Sequence, residues 1–188
     1  MYSADFENLK AQCMLCKKCP FYEERLNIVF GEGSEKADIL FVSDFPRGKD
    51  DLKGIPFTGK EGEILRKILI LCDMDKEKYF LTNILKCRPA DGEIPDDSHY
   101  DACMEHLRSQ VRFIKPKIIV CLGENTAKRM IDPSFSLRKE HGKFIKKGKL
   151  YFIATHHPSE TVDDEYKRLG LLSDFQILRE SAKKGGII

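Results

Sequence analysis

The stretch Thr82-Asn83-Ile84-Leu85-Lys86-Cys87-Arg88-Pro89 is the one around which the rest of this chain is organised. It follows a run typical of a strand, Lys78-Tyr79-Phe80-Leu81, and ends in a proline, which disfavours continuation of that strand. The Asn83 side chain carries both a donor and an acceptor, so it suits a ligand edge that alternates C=O and N–H groups. The Cys87 thiol can bind a metal. Taken alone, the stretch also fits an ordinary strand end with a capping asparagine and a buried cysteine.

The composition is that of a globular protein, with 188 residues, 41% hydrophobic, 33% charged and a net charge of +2. This length supports one substantial core, so we expect residues 1–188 to form a single domain. No apolar run reaches membrane-spanning length, and the N-terminus lacks the basic-then-apolar pattern of a secretion signal. We therefore expect a cytoplasmic protein. We also expect a monomer, because the sequence indicates no extended apolar patch.

Short apolar runs alternate with segments of helical periodicity along the chain. The predicted strands are 28–33, 37–42, 78–82, 117–122 and 150–154. The predicted helices are 3–15, one from about 60, one from about 96, 124–130 and about 164–183, and a loop is predicted over 43–59. This alternation predicts an α/β fold, in which helices flank both faces of a central, mostly parallel sheet.

Three predicted strands run into residues that can carry chemistry, namely Asp44, Asn83 and His157. Open α/β sheets place their ligand sites at the carboxyl ends of strands, so these three side chains are expected at one rim. His157 precedes Pro158, which restrains its backbone, and an imidazole there can donate to a developing oxyanion or bind a metal. Asp44 can orient a water molecule. A structural histidine is an equally good explanation of His157 alone.

Two further segments have open interpretations. Phe57 lies in the predicted loop, where it can either stack on a planar ligand or fill the edge of the core. The basic stretch over 143–149 fits either contact with phosphates or a solvated hairpin.

Seven cysteines in a reducing compartment favour metal binding over a disulfide framework. Cys16 and Cys19 supply two thiolates from one turn, and Cys87 and Cys103 lie sixteen residues apart. Four thiolates can hold zinc or an iron–sulfur cluster, and spacing does not choose between them. Cys13 forms a competing Cys-x-x-Cys pair with Cys16. Spacing alone therefore does not decide whether Cys13 or Cys19 is the second ligand of this turn. The other two lie in apolar runs and are expected in the core: Cys72 and Cys121.

Together these residues resemble the iron–sulfur uracil-DNA glycosylases, the thermophile-type or family-four branch of that superfamily. The resemblance covers almost the whole chain, from Cys16 to the last helix. Seven ordered elements carry it: Cys16-x-x-Cys19, Phe30-Gly31-Glu32-Gly33, Pro56-Phe57-Thr58-Gly59, Thr82-Asn83, Lys86-Cys87-Arg88-Pro89, Pro116 to Gly123, and His157-Pro158-Ser159. In that family the Cys-x-x-Cys pair lies at a set distance before the glycine turn, and Cys19 lies at that distance from Gly31. The resemblance therefore implies Cys16 and Cys19 rather than Cys13.

The resemblance implies an α/β/α sandwich of the uracil-DNA glycosylase type with a four-cysteine iron–sulfur site. It implies a structural [4Fe-4S] cluster on Cys16, Cys19, Cys87 and Cys103. It also implies hydrolysis of the N-glycosidic bond of deoxyuridine in DNA, which releases uracil and leaves an abasic site for base-excision repair. The expected partner is uracil-containing DNA, single- or double-stranded.

The resemblance also implies roles for four side chains. Phe57 would stack on the uracil ring of a nucleotide flipped from DNA, and Asn83 would read its Watson–Crick edge. His157 would stabilise the charge that develops at uracil O2 as the glycosidic bond breaks. Asp44, or a neighbouring backbone group, would place the water molecule.

The chain departs from the family pattern in two loops. The family's first motif is Gly-Glu-x-Pro-Gly, whereas this chain has Ser43-Asp44-Phe45-Pro46-Arg47. Ser43 and Phe45 are still expected to bind substrate, but the Ser43 side chain occupies a place where backbone should approach the base. Arg47 adds charge at the pocket mouth. After the His-Pro-Ser element come three carboxylates that would repel phosphates: Glu160, Asp163 and Asp164.

Two alternatives to uracil excision therefore remain open. One is a glycosylase-fold paralogue with altered base preference, and the other is a DNA-binding or polymerase-associated iron–sulfur protein without uracil excision. Retention of Phe57, Asn83 and His157 favours uracil excision. The altered loops at 43–48 and 160–164 favour the alternatives.

Overall fold

The computed structural model describes residues 2–187. Within that range the helices are α1 (Ala4–Met14), α2 (Gly48–Lys53), α3 (Lys60–Leu71), α4 (Asp97–Ile114), α5 (Glu124–Met130), α6 (Leu137–Glu140) and α7 (Glu165–Lys184). The strands are β1 (Glu32–Gly33), β2 (Ile39–Ser43), β3 (Tyr79–Asn83), β4 (Ile118–Leu122), β5 (Ile145–Lys147) and β6 (Leu150–Thr155). Short 3-10 turns span Pro20–Tyr22, Lys76–Lys78 and Pro158–Thr161.

The strands form one sheet in the order β1-β3-β2-β4-β6-β5. The four middle strands are parallel, and the short edge strands β1 and β5 pair antiparallel to their neighbours. Strands β2, β3 and β4 are buried along their whole length, as expected for parallel strands that are covered on both faces. The predicted α/β class and the mostly parallel sheet are confirmed.

Two apolar clusters cover the two faces of the sheet, because alternate residues of each strand point to opposite sides. In β2, Leu40 and Val42 belong to one cluster, and Ile39 and Phe41 belong to the other. The first cluster, which we call the α4 face, also contains Phe6, Tyr100 and Leu107. The second, the α7 face, also contains Leu65, Leu69, Phe175 and Leu178.

Helix α4 begins where the sequence predicts. The Asp96 carboxylate accepts hydrogen bonds from the backbone N–H groups of Ser98 and His99, which satisfies two free donors of the first turn. Cys103, Leu107 and Ile114 are buried along one face of this helix, and Val111 on the same face is partly buried. No helix within residues 2–187 has both the length and the apolar character needed to cross a membrane.

Two predictions of local structure were wrong. The predicted strand at 28–33 is reduced to Glu32–Gly33, because the Val29 N–H bonds to the main-chain oxygen of Lys86 instead of a strand ladder. The predicted loop at 43–59 contains helix α2. The buried Asp50 carboxylate stabilises it by accepting from the backbone N–H groups of Arg47 and Thr58.

Candidate active site and metal centre

The carboxyl ends of the middle strands bring the predicted site residues to one edge of the sheet. Ser43 at the end of β2 lies directly opposite Asn83 at the end of β3. The chain leaving β6 places the His157 imidazole against the Ser43 hydroxyl, with 2.9 Å between Nε2 and Oγ. A cleft of about 180 Å³ opens beside this pair. Its lining includes Ser43, Asp44, Phe45, Arg47, His157 and Ser159.

The tautomer of His157 follows from its contacts. The backbone N–H of Ser159 donates to Nδ1 at 3.1 Å, and the Ser159 hydroxyl lies 2.6 Å from the same nitrogen. An imidazole nitrogen that accepts a hydrogen bond carries no proton, so in the neutral ring the proton is on Nε2. The Nε2–H group therefore donates to the Ser43 hydroxyl oxygen at the edge of the cleft.

His157 is also held neutral by its surroundings. Burial and, to a smaller extent, the positive charge of Arg47 together lower its pKa to about 3. A neutral imidazole N–H stabilises developing negative charge by hydrogen bonding without first taking up a proton. The geometry therefore suits a donor at this position over the whole physiological pH range.

Asp44 is fixed at the cleft by a neighbouring amide. The Asn125 side-chain N–H donates to Asp44 Oδ2 at 2.6 Å and also approaches the Tyr100 hydroxyl at 3.1 Å. Asp44 Oδ1 is buried and has no hydrogen-bond partner within residues 2–187. A carboxylate with one oxygen anchored and one free can accept a proton from a water molecule.

Asn83 is buried beside the cleft and does not line it. Its side-chain Nδ2 has no hydrogen-bond partner within residues 2–187, which is unusual for a buried amide. Its main-chain oxygen accepts from the Lys86 ammonium at 2.6 Å. The same ammonium donates to Thr82 Oγ1 and Gln110 Oε1, each at 2.7 Å. The backbone of Asn83 is thus anchored while its amide donor is left free.

Phe57 is buried next to His157, with 6.3 Å between the ring centroids and 29° between the ring planes. Its backbone has φ 57°, a left-handed conformation that is strained for a bulky residue. The Arg66 guanidinium donates to the Phe57 carbonyl oxygen at 2.8 Å. Gly62 in α3 permits this close approach, since a Cβ there would clash with that carbonyl. The loop around Phe57 is therefore held against α3.

The acidic loop at 160–164 is tied to the start of α7. The Arg168 guanidinium donates to the main-chain oxygens of Thr161 and Val162 at 2.6 to 3.0 Å. Lys167 contacts Glu160 at 3.4 Å. These two cations are used within the loop, so the positive charge in the cleft lining comes from Arg47, whose guanidinium lies over the Phe45 ring. The carboxylates of Glu124 and Glu160 line the same cleft.

The four cysteines predicted as metal ligands line one small pocket: Cys16, Cys19, Cys87 and Cys103. Cys13 is buried in the same apolar cluster but does not line the pocket, whereas Cys72 lies on the opposite α7 face. Spacing alone left the Cys13/Cys16 and Cys16/Cys19 pairs open, and the family resemblance favoured Cys16 and Cys19. The lining of the pocket favours the same pair. No group of three or more His, Cys, Asp or Glu side chains within residues 2–187 has the arrangement of a metal site.

The donors around this pocket suit a group that carries negative charge on sulfur. The Arg25 guanidinium donates to the Cys87 sulfur at 3.1 Å, and the Lys86 backbone N–H donates to the Cys103 sulfur at 3.3 Å. Hydrogen bonds to sulfur and nearby cations are features that hold and tune iron–sulfur clusters. The chemistry of the residues therefore fits a four-thiolate cluster.

Sequence reasoning assigned no role to three residues of this region, namely Lys86, Tyr100 and Asn125. Asn125 follows the carboxyl end of β4, so the same strand-end rule that identified Asp44 could have identified it. The contact of Tyr100 with Asn125 spans 25 residues and had no signal in the sequence. The burial of Lys86 was also unexpected, because lysine is almost always exposed.

Comparison with known proteins identifies the family. The profile of the uracil DNA glycosylase superfamily matches residues 30–173. A type-4 uracil-DNA glycosylase of Sulfurisphaera tokodaii is 34% identical over 94% of this chain and 84% of its own length. One of Archaeoglobus fulgidus is 32% identical over 95% and 94%. A DNA polymerase of Bacillus phage SP01 is 25% identical over 79% of this chain and 16% of its own length. The chain belongs to the uracil DNA glycosylase superfamily.

Proposed function

We propose that this protein hydrolyses the N-glycosidic bond of deoxyuridine in DNA, which releases uracil and leaves an abasic site. One observation carries the proposal: at one edge of the sheet, a neutral His157 N–H contacts Ser43, and Asn83 lies opposite Ser43 with a buried Nδ2 that has no partner within residues 2–187. The names of the similar proteins, type-4 uracil-DNA glycosylases, support the same activity.

Base recognition in this proposal rests on Asn83 and Phe57. The Asn83 Nδ2 donates to uracil O4 and its Oδ1 accepts from N3–H, an order of donor and acceptor that cytosine reverses. The Asn83 Nδ2, which has no partner within residues 2–187, supports this assignment. A buried donor without a hydrogen bond costs free energy, and the uracil O4 would supply the missing acceptor. Phe57 provides an aromatic face for the ring next to His157.

The bond cleavage needs charge stabilisation on both sides of the scissile bond. The C1′–N1 bond breaks, its electron pair moves into the uracil ring, and charge develops at O2 near the His157 donor. A water molecule then adds to the oxocarbenium-like C1′ and loses a proton to Asp44, whose free Oδ1 is the acceptor. The uracil anion takes up a proton on release.

We further propose that Cys16, Cys19, Cys87 and Cys103 hold a [4Fe-4S] cluster. The group would cross-link the N-terminal turn, the segment after β3 and helix α4, and so brace the backbone next to Asn83. Its contribution is structural in this proposal. Cys87 lies four residues after Asn83, which makes the segment between them the direct mechanical link.

The proposed reaction is accompanied by proposals on the functional unit, the DNA substrate and the cellular location. We propose that residues 1–188 act as one catalytic unit and as a monomer, on single- or double-stranded uracil-containing DNA in the cytoplasm. Base flipping from either kind of strand would bring uracil to the same edge of the sheet.

The test is uracil release from a single-stranded oligonucleotide by anaerobically purified protein. The parent should release uracil, whereas Asn83→Ala and His157→Ala should each lower the rate by about 100-fold or more. Ser134→Ala, in an exposed turn, is the matched control and should retain the parent rate. If the parent has an intact visible spectrum and releases no uracil, the proposal fails. Release of another base instead would support the paralogue with altered preference.

A further inference from the structure

The donor of His157 is already occupied in this structure. Its single N–H, on Nε2, donates to the Ser43 hydroxyl oxygen at 2.9 Å, and both side chains are buried. A hydroxyl that accepts through its oxygen still has its own proton to donate. Within residues 2–187 the Ser43 hydroxyl makes no other side-chain hydrogen bond, so that proton is available towards the cleft that Ser43 lines.

Ser43 also has the right neighbours for contact with a base. It lies opposite Asn83 in the register of β2 and β3, at the point where both strands end. A base whose Watson–Crick edge is held by Asn83 would therefore lie next to Ser43, with His157 one hydrogen bond further away. For His157 to reach the base directly, its buried bond to Ser43 would first have to break.

We propose that Ser43 is a catalytic residue, whose hydroxyl donates a hydrogen bond to the O2 carbonyl of the flipped pyrimidine, and that His157 acts through it. This inference rests on the proposed uracil excision and deepens it. The hydrogen bonds then run in one direction, from the Ser159 N–H to His157 Nδ1, from Nε2–H to the Ser43 oxygen, and from the Ser43 O–H to the base.

Such a chain strengthens the last donor, because each hydrogen bond polarises the next in a buried environment. When the C1′–N1 bond breaks, its electron pair spreads to O2, and the Ser43 O–H meets that charge. No proton is transferred in this step. His157 remains neutral and keeps the serine hydroxyl oriented, which makes it a positioning residue under this proposal.

The experiment compares Ser43→Ala, Ser43→Thr and the parent in single-turnover uracil release, with DNA affinity measured separately on an oligonucleotide that carries a non-cleavable deoxyuridine analogue. Ser43→Ala removes the donor and should lower the rate about 100-fold while affinity changes less than about threefold. Ser43→Thr keeps a hydroxyl and should recover most of the rate. Thermal unfolding and the visible spectrum show that each variant is folded.

A second measurement is independent of turnover. The ¹⁵N chemical shifts of His157 should show the Nε2–H tautomer in both the parent and Ser43→Ala, because Ser159 still holds Nδ1. A folded Ser43→Ala variant that retains the tautomer and matches or exceeds the parent rate would overturn the proposal. If the parent itself releases no uracil, the proposed function fails first. If His157→Ala alone is impaired, uracil excision stands and the role of Ser43 is refuted.

Discussion

The ammonium group of Lys86 lies 2.6 Å from the main-chain oxygen of Asn83, and this lysine directly precedes a cysteine of the proposed cluster. The side chain is fully buried, and its three donors match three acceptors, on Thr82, Asn83 and Gln110. A buried cation is tolerated only when its hydrogen bonds are satisfied in this way. Lys86 thus connects the cysteine pocket with the residue proposed to read the base.

We expect Lys86→Met to lower the free energy of unfolding by about 3 kcal/mol or more, because three buried acceptors lose their shared donor. Chemical denaturation at neutral pH measures this. Lys49→Met, at an exposed position of α2, is the matched control and should change stability by less than about 0.5 kcal/mol. Equal effects of the two substitutions would show that the buried network contributes little.

The low pKa of His157, about 3, predicts a pH-dependent loss of stability. The unfolded chain binds a proton on this ring below its ordinary pKa of 6.5, whereas the folded chain does not until near pH 3. The contribution of His157 to the free energy of unfolding is therefore complete above pH 6.5. It falls as the pH drops, by up to about 1.4 kcal/mol per pH unit. His157→Asn should flatten the decline between pH 6 and about 4 in denaturation experiments. An unchanged slope would contradict the burial of a neutral imidazole.

Gly62→Ala should destabilise the protein and impair uracil release, although alanine normally favours a helix by about 1 kcal/mol. The new Cβ would clash with the Phe57 carbonyl oxygen, so the loop that carries Phe57 must move. We expect a net loss of about 2 kcal/mol. Gly48→Ala is the matched control, because a Cβ there meets no atom of the described residues within 4 Å. Stabilisation by both substitutions would show that the loop adapts freely.

Serine substitution at any of the four pocket cysteines should abolish the iron and sulfide content and the broad visible absorption of anaerobically purified protein. The positions are Cys16, Cys19, Cys87 and Cys103. Cys13→Ser should retain the cluster, as should Cys72→Ser on the opposite face of the sheet. Loss of iron from Cys13→Ser with retention in Cys19→Ser would assign the competing ligand pair, and zinc in the parent would refute the cluster.

Arg47→Ala should weaken binding to single-stranded DNA and lower the salt dependence of the binding constant. Arg47 is the one Lys or Arg side chain that lines the cleft among the described residues, and the loss of one phosphate contact reduces the slope of log K against log salt by about 0.7. Fluorescence anisotropy at several salt concentrations measures this slope. Lys49→Ala, two residues away and outside the cleft lining, should leave it unchanged.

The sequence predicted the middle of this fold well, because parallel strands buried on both faces appear as uninterrupted apolar runs. The strand predicted at 117–122 is observed as Ile118–Leu122, and the helix predicted at 124–130 is observed as Glu124–Met130. Helix α2 was missed because its stability comes from the carboxylate of Asp50 and its contact with Thr58, which no local pattern shows. Residues 28–31 have strand composition, but their hydrogen bonds are with a distant loop.

The site shows the same difference between features that chain order predicts and features that depend on contacts between distant residues. Asp44, Asn83 and His157 were found because each follows a strand, a rule that depends only on chain order. The rule could not show that Asn83 lies behind Ser43 rather than in the cleft, or that Asn125 orients Asp44. The first relationship depends on the pairing of two strands whose partner residues are 40 positions apart, and the second on a side-chain contact between residues 81 positions apart.

The separation of the two apolar clusters determines which part of the structure would be affected first by oxidation. All four pocket cysteines belong to the α4 face, whereas α3, α7 and Phe57 pack on the other. Oxidative loss of a cluster would therefore loosen the N-terminal segment and α4 first and leave the opposite layer in place. Limited proteolysis of air-exposed protein should cut within the first thirty residues before it cuts α7.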